Sequence, residues 1–527
     1  MNFILPRNDQ ISIGDQVIDG KGYILDEPYI ARFFDLQSPS RITYSIRCNG
    51  YQHNIDPKRF RYCELGCGRG MTAAVLASAY PDAEFVGLDL NPEHIAYADS
   101  LAGQADLKNI SFVQSDFVEA MQNEWEQFDY ITVHGVYSWV NEEIREQMFA
   151  FLAKYLKEDG VAYVSYNSYP GWSAKEPLWR LLNSHIKSVE GTSIERVKSG
   201  IEFLDFLVET KAPYFEQNPS AVEHLEYLKS EDLRYISHEF CNEAFSPVYC
   251  AEVFNHAAKH GFGFIGQAES CYNIPFEKLP AEYAEFVASK ETITEAEVWT
   301  SMLRNDQFRT DLFAKITPDS SAIEDTQLWG MAFTNLLPLQ KLDPVLECGS
   351  SEIDLRGTLE SQIVELCESG ELTIEALCSV PGLRQYSPKV ILQTVQALEL
   401  SGYFGFMERP CEPVDALHEA NWQFSHKSIP VLAKAQIEDN ALPWFAAPNL
   451  GSGIRMETID ALALLSIDAA SEQEAVASFT HAINKDNPDI LGFQVSEEWA
   501  KGYLYDFREQ WGPVLFKLGI MEGQPMQ

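Results

Sequence analysis

Along this 527-residue chain, apolar residues between about 60 and 170 come in short bursts separated by stretches of helical spacing. Phe60, Tyr62, Cys63 and Leu65 make one burst, and Glu84–Leu90, Ile110–Asp116, Phe128–Gly135 and Val161–Asn167 repeat it, which predicts five strands. Thr72–Ala79, a stretch near Glu93–Ala102, and Asn141–Lys157 lie between them and predict helices. In the last of these, Ile144, Met148, Phe151, Leu152 and Tyr155 fall on one face. Strands alternating with helices predict a parallel sheet covered on both sides. Ligands of such sheets bind outside the carboxyl ends of the strands, where Glu64, Asp89, Asp116, His134 and Asn167 all fall.

The pattern changes on either side of this block. Residues 1–58 hold Tyr23, Tyr29, Phe33, Phe34, Tyr44 and Tyr51 among few charges and are expected to form a cap or a subunit contact. Residues 59–172 carry the five strands. Residues 173–316 are mostly helical, then Ala257–Ile265 reads as a helix, a glycine and a sixth strand, and Phe308–Phe313 as a seventh, paired antiparallel. The expected fold is α/β: a doubly wound, Rossmann-like seven-stranded sheet with a helical insertion. Thr317–Thr326, rich in Pro, Ser and acid, reads as a linker. Within 327–420, three short helices (Leu359–Ser369, Thr373–Cys378, Val390–Leu400) precede an alternating Tyr403, Phe404, Phe406, which predicts a winged-helix-like unit. Residues 421–527 read as an α-rich end, making the carboxyl-terminal region mainly α.

Charge narrows the function. A formal net charge of −39 repels phosphate and works against free nucleic acid as a partner. The winged-helix-like stretch agrees: Ser351–Pro410 has nine acidic and four basic residues, the reverse of what a recognition helix needs. No apolar run reaches the length of a membrane span, the first residues lack the apolar core of a leader, and the cysteines are scattered. The chain is therefore expected to be cytoplasmic, without membrane insertion.

The most specific chemistry lies in Glu64-Leu65-Gly66-Cys67-Gly68-Arg69-Gly70, followed by Gly87-Leu88-Asp89-Leu90. Glycines in a turn after a strand let backbone N–H groups approach a ligand. A dinucleotide fingerprint would need a third glycine where Met71 stands. Glu64 at the strand end would also repel a pyrophosphate, whereas it can accept hydrogen bonds from an ammonium. S-adenosylmethionine has that ammonium, a ribose diol for Asp89, and no phosphate. The turn resembles the first two motifs of class I S-adenosylmethionine-dependent methyltransferases, whose product is S-adenosylhomocysteine.

Methyl transfer is an in-line displacement that needs positioning more than a metal or a covalent nucleophile. The fourth strand runs into His134-Gly135-Val136-Tyr137-Ser138-Trp139-Val140 and the fifth into Tyr166-Asn167-Ser168-Tyr169-Pro170-Gly171-Trp172. Their aromatics could stabilise a cationic centre, with Tyr137, Tyr166 and Tyr169 forming a channel and Asn167 orienting the acceptor; a hydrophobic lid is the other reading. His134-Gly135-Val136-Tyr137 departs from the Asn-Pro-Pro-Tyr type of motif of base-modifying enzymes. His238, Cys241, Cys250, His256 and His260 have irregular spacing for a metal knuckle, and no metal is expected.

These strings, with His238-Glu239-Phe240, Pro247 and Tyr249, resemble bacterial class I methyltransferases that carry a methyltransferase regulatory domain, among them the rickettsial protein-lysine methyltransferases that modify an outer membrane protein. The resemblance covers roughly residues 20 to 315. It implies cofactor contacts at Glu64, Gly66, Cys67, Gly68, Gly70, Asp89 and Leu90, with Asp116 and Phe117 near the adenine and His134 beside the methionine moiety. It also implies a homodimer through the amino-terminal segment and a middle domain that shapes acceptor access. Arg69 departs from the pattern, since that position is often small. Three functions stay open: a protein-lysine methyltransferase, a small-molecule N- or O-methyltransferase, and a non-catalytic cofactor-binding scaffold.

Overall fold

The computed structural model describes residues 10–525 except 14–15, 20–23, 25, 243, 274–280, 316–327, 349–350, 369–371, 409–419 and 470; the expected linker at 317–326 lies outside the described residues. Strands β1 (Arg61–Leu65), β2 (Glu84–Asp89), β3 (Ile110–Gln114), β4 (Phe128–Val133), β5 (Leu156–Asn167), β6 (Gly263–Gln267) and β7 (Phe308–Ala314) form one sheet in the order β3-β2-β1-β4-β5-β7-β6. β1 to β5 pair in parallel, with Tyr62 opposite Phe85 and Tyr130. β7 runs antiparallel between β5 and β6. The order reverses at β1, between the β1–β2 and β1–β4 pairs, which places a ligand crevice at the end of β1. β4, buried at every position, is the apolar run expected of a central strand.

Helices α1 (Pro39–Cys48), α2 (Met71–Ala79), α3 (Pro92–Gln104), α4 (Phe117–Ala120) and α5 (Glu142–Tyr155) flank these strands. α5 starts where Asn141 accepts the Ile144 N–H. It stops two residues before the expected end because Leu156 pairs with Phe128 and begins β5 early. α2 is buried at all nine positions. A helix apolar all round must be covered on its outer side as well, and here Leu432, Ala433, Phe445, Ala446 and Ile454 from the carboxyl-terminal region join it in one core. The region after residue 421 thus packs on α2, the helix that covers this face of the sheet.

The middle region builds its own helical core from Leu178, Trp179, Leu182, Val197, Leu204 and Leu225, which reaches Trp139 and Trp172 at the sheet edge. One of its short helices, α6 (Leu233–Phe240), returns to the crevice. Further on, Thr358–Glu368, Ile374–Ser379 and Pro388–Leu400 are helical, and Phe404–Met407 pairs with Ala332–Asn335 beside Leu372–Thr373. Three helices against a small antiparallel sheet make the winged-helix-like arrangement that the pattern predicts.

At β7, the wholly buried Arg309 is balanced by Asp311 at 2.7 Å, Asp306 at 2.7 Å and Glu297 at 3.1 Å. A buried guanidinium is tolerable only with such compensation, and its network fixes the strand that carries Phe308 to the crevice.

Candidate active site

A cavity of about 530 Å³ opens at the carboxyl ends of β1, β2 and β4, within the range of small-molecule sites. Its floor is the glycine turn. Gly66 has φ of +73°, and a Cβ there would sit 2.5 Å from Val136 Cγ2, so only glycine fits. Gly70, at φ +72°, stands with its missing Cβ 2.5 Å from the Phe112 ring. It starts α2 and supports the turn from behind instead of lining the cavity.

Asp89 ends β2 and is already engaged. Its Oδ2 accepts the Gly68 N–H at 2.8 Å and its Oδ1 accepts the Asn91 N–H at 2.9 Å, with His94 Nδ1 at 3.2 Å. His94 Nε2 accepts the Tyr29 N–H at 3.0 Å, so the ring proton sits on Nδ1 and points at Asp89. Burial pushes the Asp89 carboxyl up, but His94 and the two backbone donors outweigh it and hold it below the usual range. Asp89 is thus an ionised acceptor that locks the turn while facing the cavity.

Glu64 is the opposite case. It is 4% exposed and its Oε2 has no hydrogen-bond partner. Burial raises its carboxyl to about 8, against the pull of Gln37 and the Ala73 N–H and with the help of Asp89. A buried, unsatisfied carboxylate oxygen beside open space fits an ammonium donor. Asp116 caps α4 by accepting the Glu119 N–H at 2.8 Å, and with Phe117 and Leu90 it lines the cavity. His134 is held neutral, its pKa lowered by burial to about 4, and its Nδ1 lies 2.8 Å from the Tyr163 hydroxyl.

The expected cofactor residues Glu64, Gly66, Cys67, Gly68, Asp89, Leu90, Asp116, Phe117 and His134 therefore share one cavity, together with Asn167. The three tyrosines do not. Tyr137 is buried with its hydroxyl 3.1 Å from His256 Nδ1. Tyr166 donates to the buried carboxylate of Asp311, and Tyr169 donates to Glu176. Strand alternation turns Tyr166 to the opposite face from its neighbour Asn167. The aromatic wall comes instead from Tyr29, Phe34, Trp139, Tyr235 and Phe308, with the Phe34 ring 4.2 Å from that of His134. Sequence reasoning missed the wall's outer half, although the aromatic-rich first 58 residues and the string His238-Glu239-Phe240 were its signal. On α6, His238 Nε2–H donates to the Glu27 carbonyl at 2.9 Å. Glu239, lining the cavity, is raised to about 8 by burial, partly offset by Tyr235.

Of the scattered His and Cys residues, His256 and His260 come together at Glu146, in a group whose ligand atoms lie within 4.8 Å of one another. His256 and His260 both donate from Nε2 to Glu146, each at 2.9 Å, while His238 lies on the cavity wall.

Residues 63–160 match a family model described as a methyltransferase domain, and residues 232–315 match one described as a predicted methyltransferase regulatory domain. The chain is 27% identical to an uncharacterised protein of Synechocystis over 510 residues, 95% of this chain and 99% of that one. It is 30% identical to an uncharacterised protein of Rickettsia prowazekii over 305 residues, 56% of this chain and 54% of the relative. Among solved structures it resembles PKMT2 from Rickettsia typhi, solved in complex with AdoHcy, with a TM-score of 0.70 at 18% identity, over 93% of this chain and 99% of that one.

Proposed function

We propose that the chain is a class I S-adenosylmethionine-dependent methyltransferase whose acceptor is the side-chain amine of a protein lysine. When bound, the cofactor supplies an electrophilic methyl group on a sulfonium. The chain's own residues then hold the cofactor and orient the acceptor. We assign Glu64 to the cofactor's ammonium and Asp89 to its ribose, with Asp116 and Phe117 at the adenine. We assign His134 a place beside the methionine moiety and Asn167, on the same cavity, the task of orienting the acceptor.

The observation that carries the lysine reading is the apolar, aromatic stretch of the cavity wall around His134 and Phe308, set apart from the Arg32, Arg69 and Asp89 that also line the cavity. A lysine with pKa ~10.4 costs roughly 4.6 kcal/mol to deprotonate at pH 7. Phe34, Trp139 and Phe308 offer apolar surface, His134 is neutral, and the Glu239 carboxyl keeps its proton up to about pH 8. Such surroundings penalise an ammonium and favour the free amine that attacks the methyl carbon. The likeness of the chain to PKMT2 along nearly its whole length supports a protein acceptor. In the same reading the middle region, through α6, shapes acceptor access, and the protein works in the cytoplasm; no described helix is long and apolar enough to cross a membrane.

Incubation of the purified chain with methyl-labelled cofactor and a cell lysate tests this. Label in protein, recovered as methyl-lysine on hydrolysis, is the expected result. Label confined to small solutes would replace the lysine reading with a small-molecule acceptor, and cofactor binding without transfer would leave a scaffold.

A further inference from the structure

Arg69 stands in the glycine turn where related turns often hold a small residue, and the structure gives it an unusual set of neighbours. Its guanidinium lies over the Tyr97 ring, 3.6 Å from the centroid, and pairs with Asp439 Oδ1 at 2.9 Å. Asp439 comes from the far end of the chain, immediately after the helix Ser428–Glu438. A carboxylate there opposes the helix dipole, so its position must be stabilised by something outside the helix. Three groups do this. Oδ2 accepts the Ala31 N–H at 2.7 Å, and Oδ1 accepts from Arg234 Nη1 at 2.7 Å in addition to its pairing with Arg69. Burial pushes the Asp439 carboxyl up, but the Ala31 N–H and the two guanidiniums more than offset it and hold it below the usual range.

Each partner belongs to a different part of the cofactor cavity. Arg69 is in its floor, Ala31 in its amino-terminal wall, and Arg234 in α6, which carries Tyr235, His238 and Glu239 to the cavity. We propose that Asp439 is a positioning residue of the cofactor site: one carboxylate from the carboxyl-terminal region holds the turn, the wall and α6 in register around the cofactor. Charge is essential to the role, because a neutral group could satisfy Ala31 but would leave Arg69 without a carboxylate partner and Arg234 with Asp232 alone, on its own helix end. The proposal rests on the cofactor reading alone and is independent of the acceptor.

The test uses the full-length chain and S-adenosylhomocysteine as the probe. Asp439→Asn keeps the size and an acceptor for Ala31 but removes the charge; Arg69→Gln removes one partner and leaves Arg234 in place. Calorimetric Kd should rise about tenfold or more in each, the worth of a charged hydrogen bond. The double variant should bind no more weakly than the worse single one, since both break one unit. Thermal midpoints without ligand should stay within a few degrees of the wild type. Wild-type affinity in both single variants would overturn the proposal, as would losses that multiply in the double variant or that merely track a fall in stability. Should Asp439→Asn fail to fold, Arg69→Gln alone decides by the same Kd and midpoint. A wild-type chain that does not bind the probe would overturn the cofactor reading and this proposal with it.

Discussion

Replacing Glu64 by Gln has opposite effects on stability and on binding, and the structure gives both sizes. Glu64 is buried, and its carboxyl rises from an ordinary 4.5 to about 8. A folded-state pKa above the unfolded one means that the folded chain holds a proton the unfolded chain releases. The stabilisation from this group is therefore full below about pH 4.5 and is lost as pH rises through about 8. The slope inside that window is ~1.4 kcal/mol per pH unit, and the whole effect is on the order of 5 kcal/mol. Glu64→Gln removes this slope, so without ligand the variant should gain on the wild type by about 4 kcal/mol between pH 5 and pH 8. Binding goes the other way. The cofactor's ammonium needs the ionised carboxylate, so wild-type affinity should rise about tenfold from pH 6 to pH 7, whereas the variant should be flat there. Losing a charged hydrogen bond should also weaken the variant's binding by about 1.5–3 kcal/mol at pH 7.5. Denaturant unfolding at several pH values, paired with calorimetry using S-adenosylhomocysteine, reads both. Parallel stability curves for the two proteins, or equal affinities, would refute the assignment of Glu64 to the ammonium.

Other expectations follow from the same geometry. Asp89→Ala removes the acceptor of the Gly68 N–H as well as the ribose contact, and should raise the cofactor Kd by about tenfold or more; calorimetry with unchanged affinity would contradict it. Tyr166→Phe should cost about 1–3 kcal/mol of stability by depriving buried Asp311 of a donor, while leaving cofactor affinity within about twofold; urea unfolding beside a binding titration separates the two. Gly66→Ala forces a left-handed backbone and a 2.5 Å approach to Val136, and should destabilise by at least about 1–2 kcal/mol and weaken cofactor binding. Combining it with Val136→Ala should recover part of the loss, and no recovery would point to backbone strain alone.

Much of the cofactor site was legible before any fold was known because its signals are local. A glycine spacing that fails the dinucleotide pattern, an acid one residue before the strand's end and a second acid at the next strand place three contacts within 26 positions, Glu64 to Asp89, and strand alternation does the rest. The tyrosines were misread for a reason of the same kind. Proximity in sequence to Asn167 put Tyr166 near the cavity, but the period of two in a strand sends adjacent side chains to opposite faces, and the buried ion network around Arg309 was there to receive its hydroxyl.

By itself, then, the sequence determined the alternating sheet, the turn at its switch point and the kind of ligand that turn accepts, since those depend on residues near one another along the chain. What covers α2, and which distant groups close the cavity, was decided only by tertiary structure. Tyr29, Phe34, Tyr235 and Asp439 reach the site across separations that no periodicity encodes. Their placement comes from whole regions packing their apolar faces together, with ion pairs then selected wherever buried charges met.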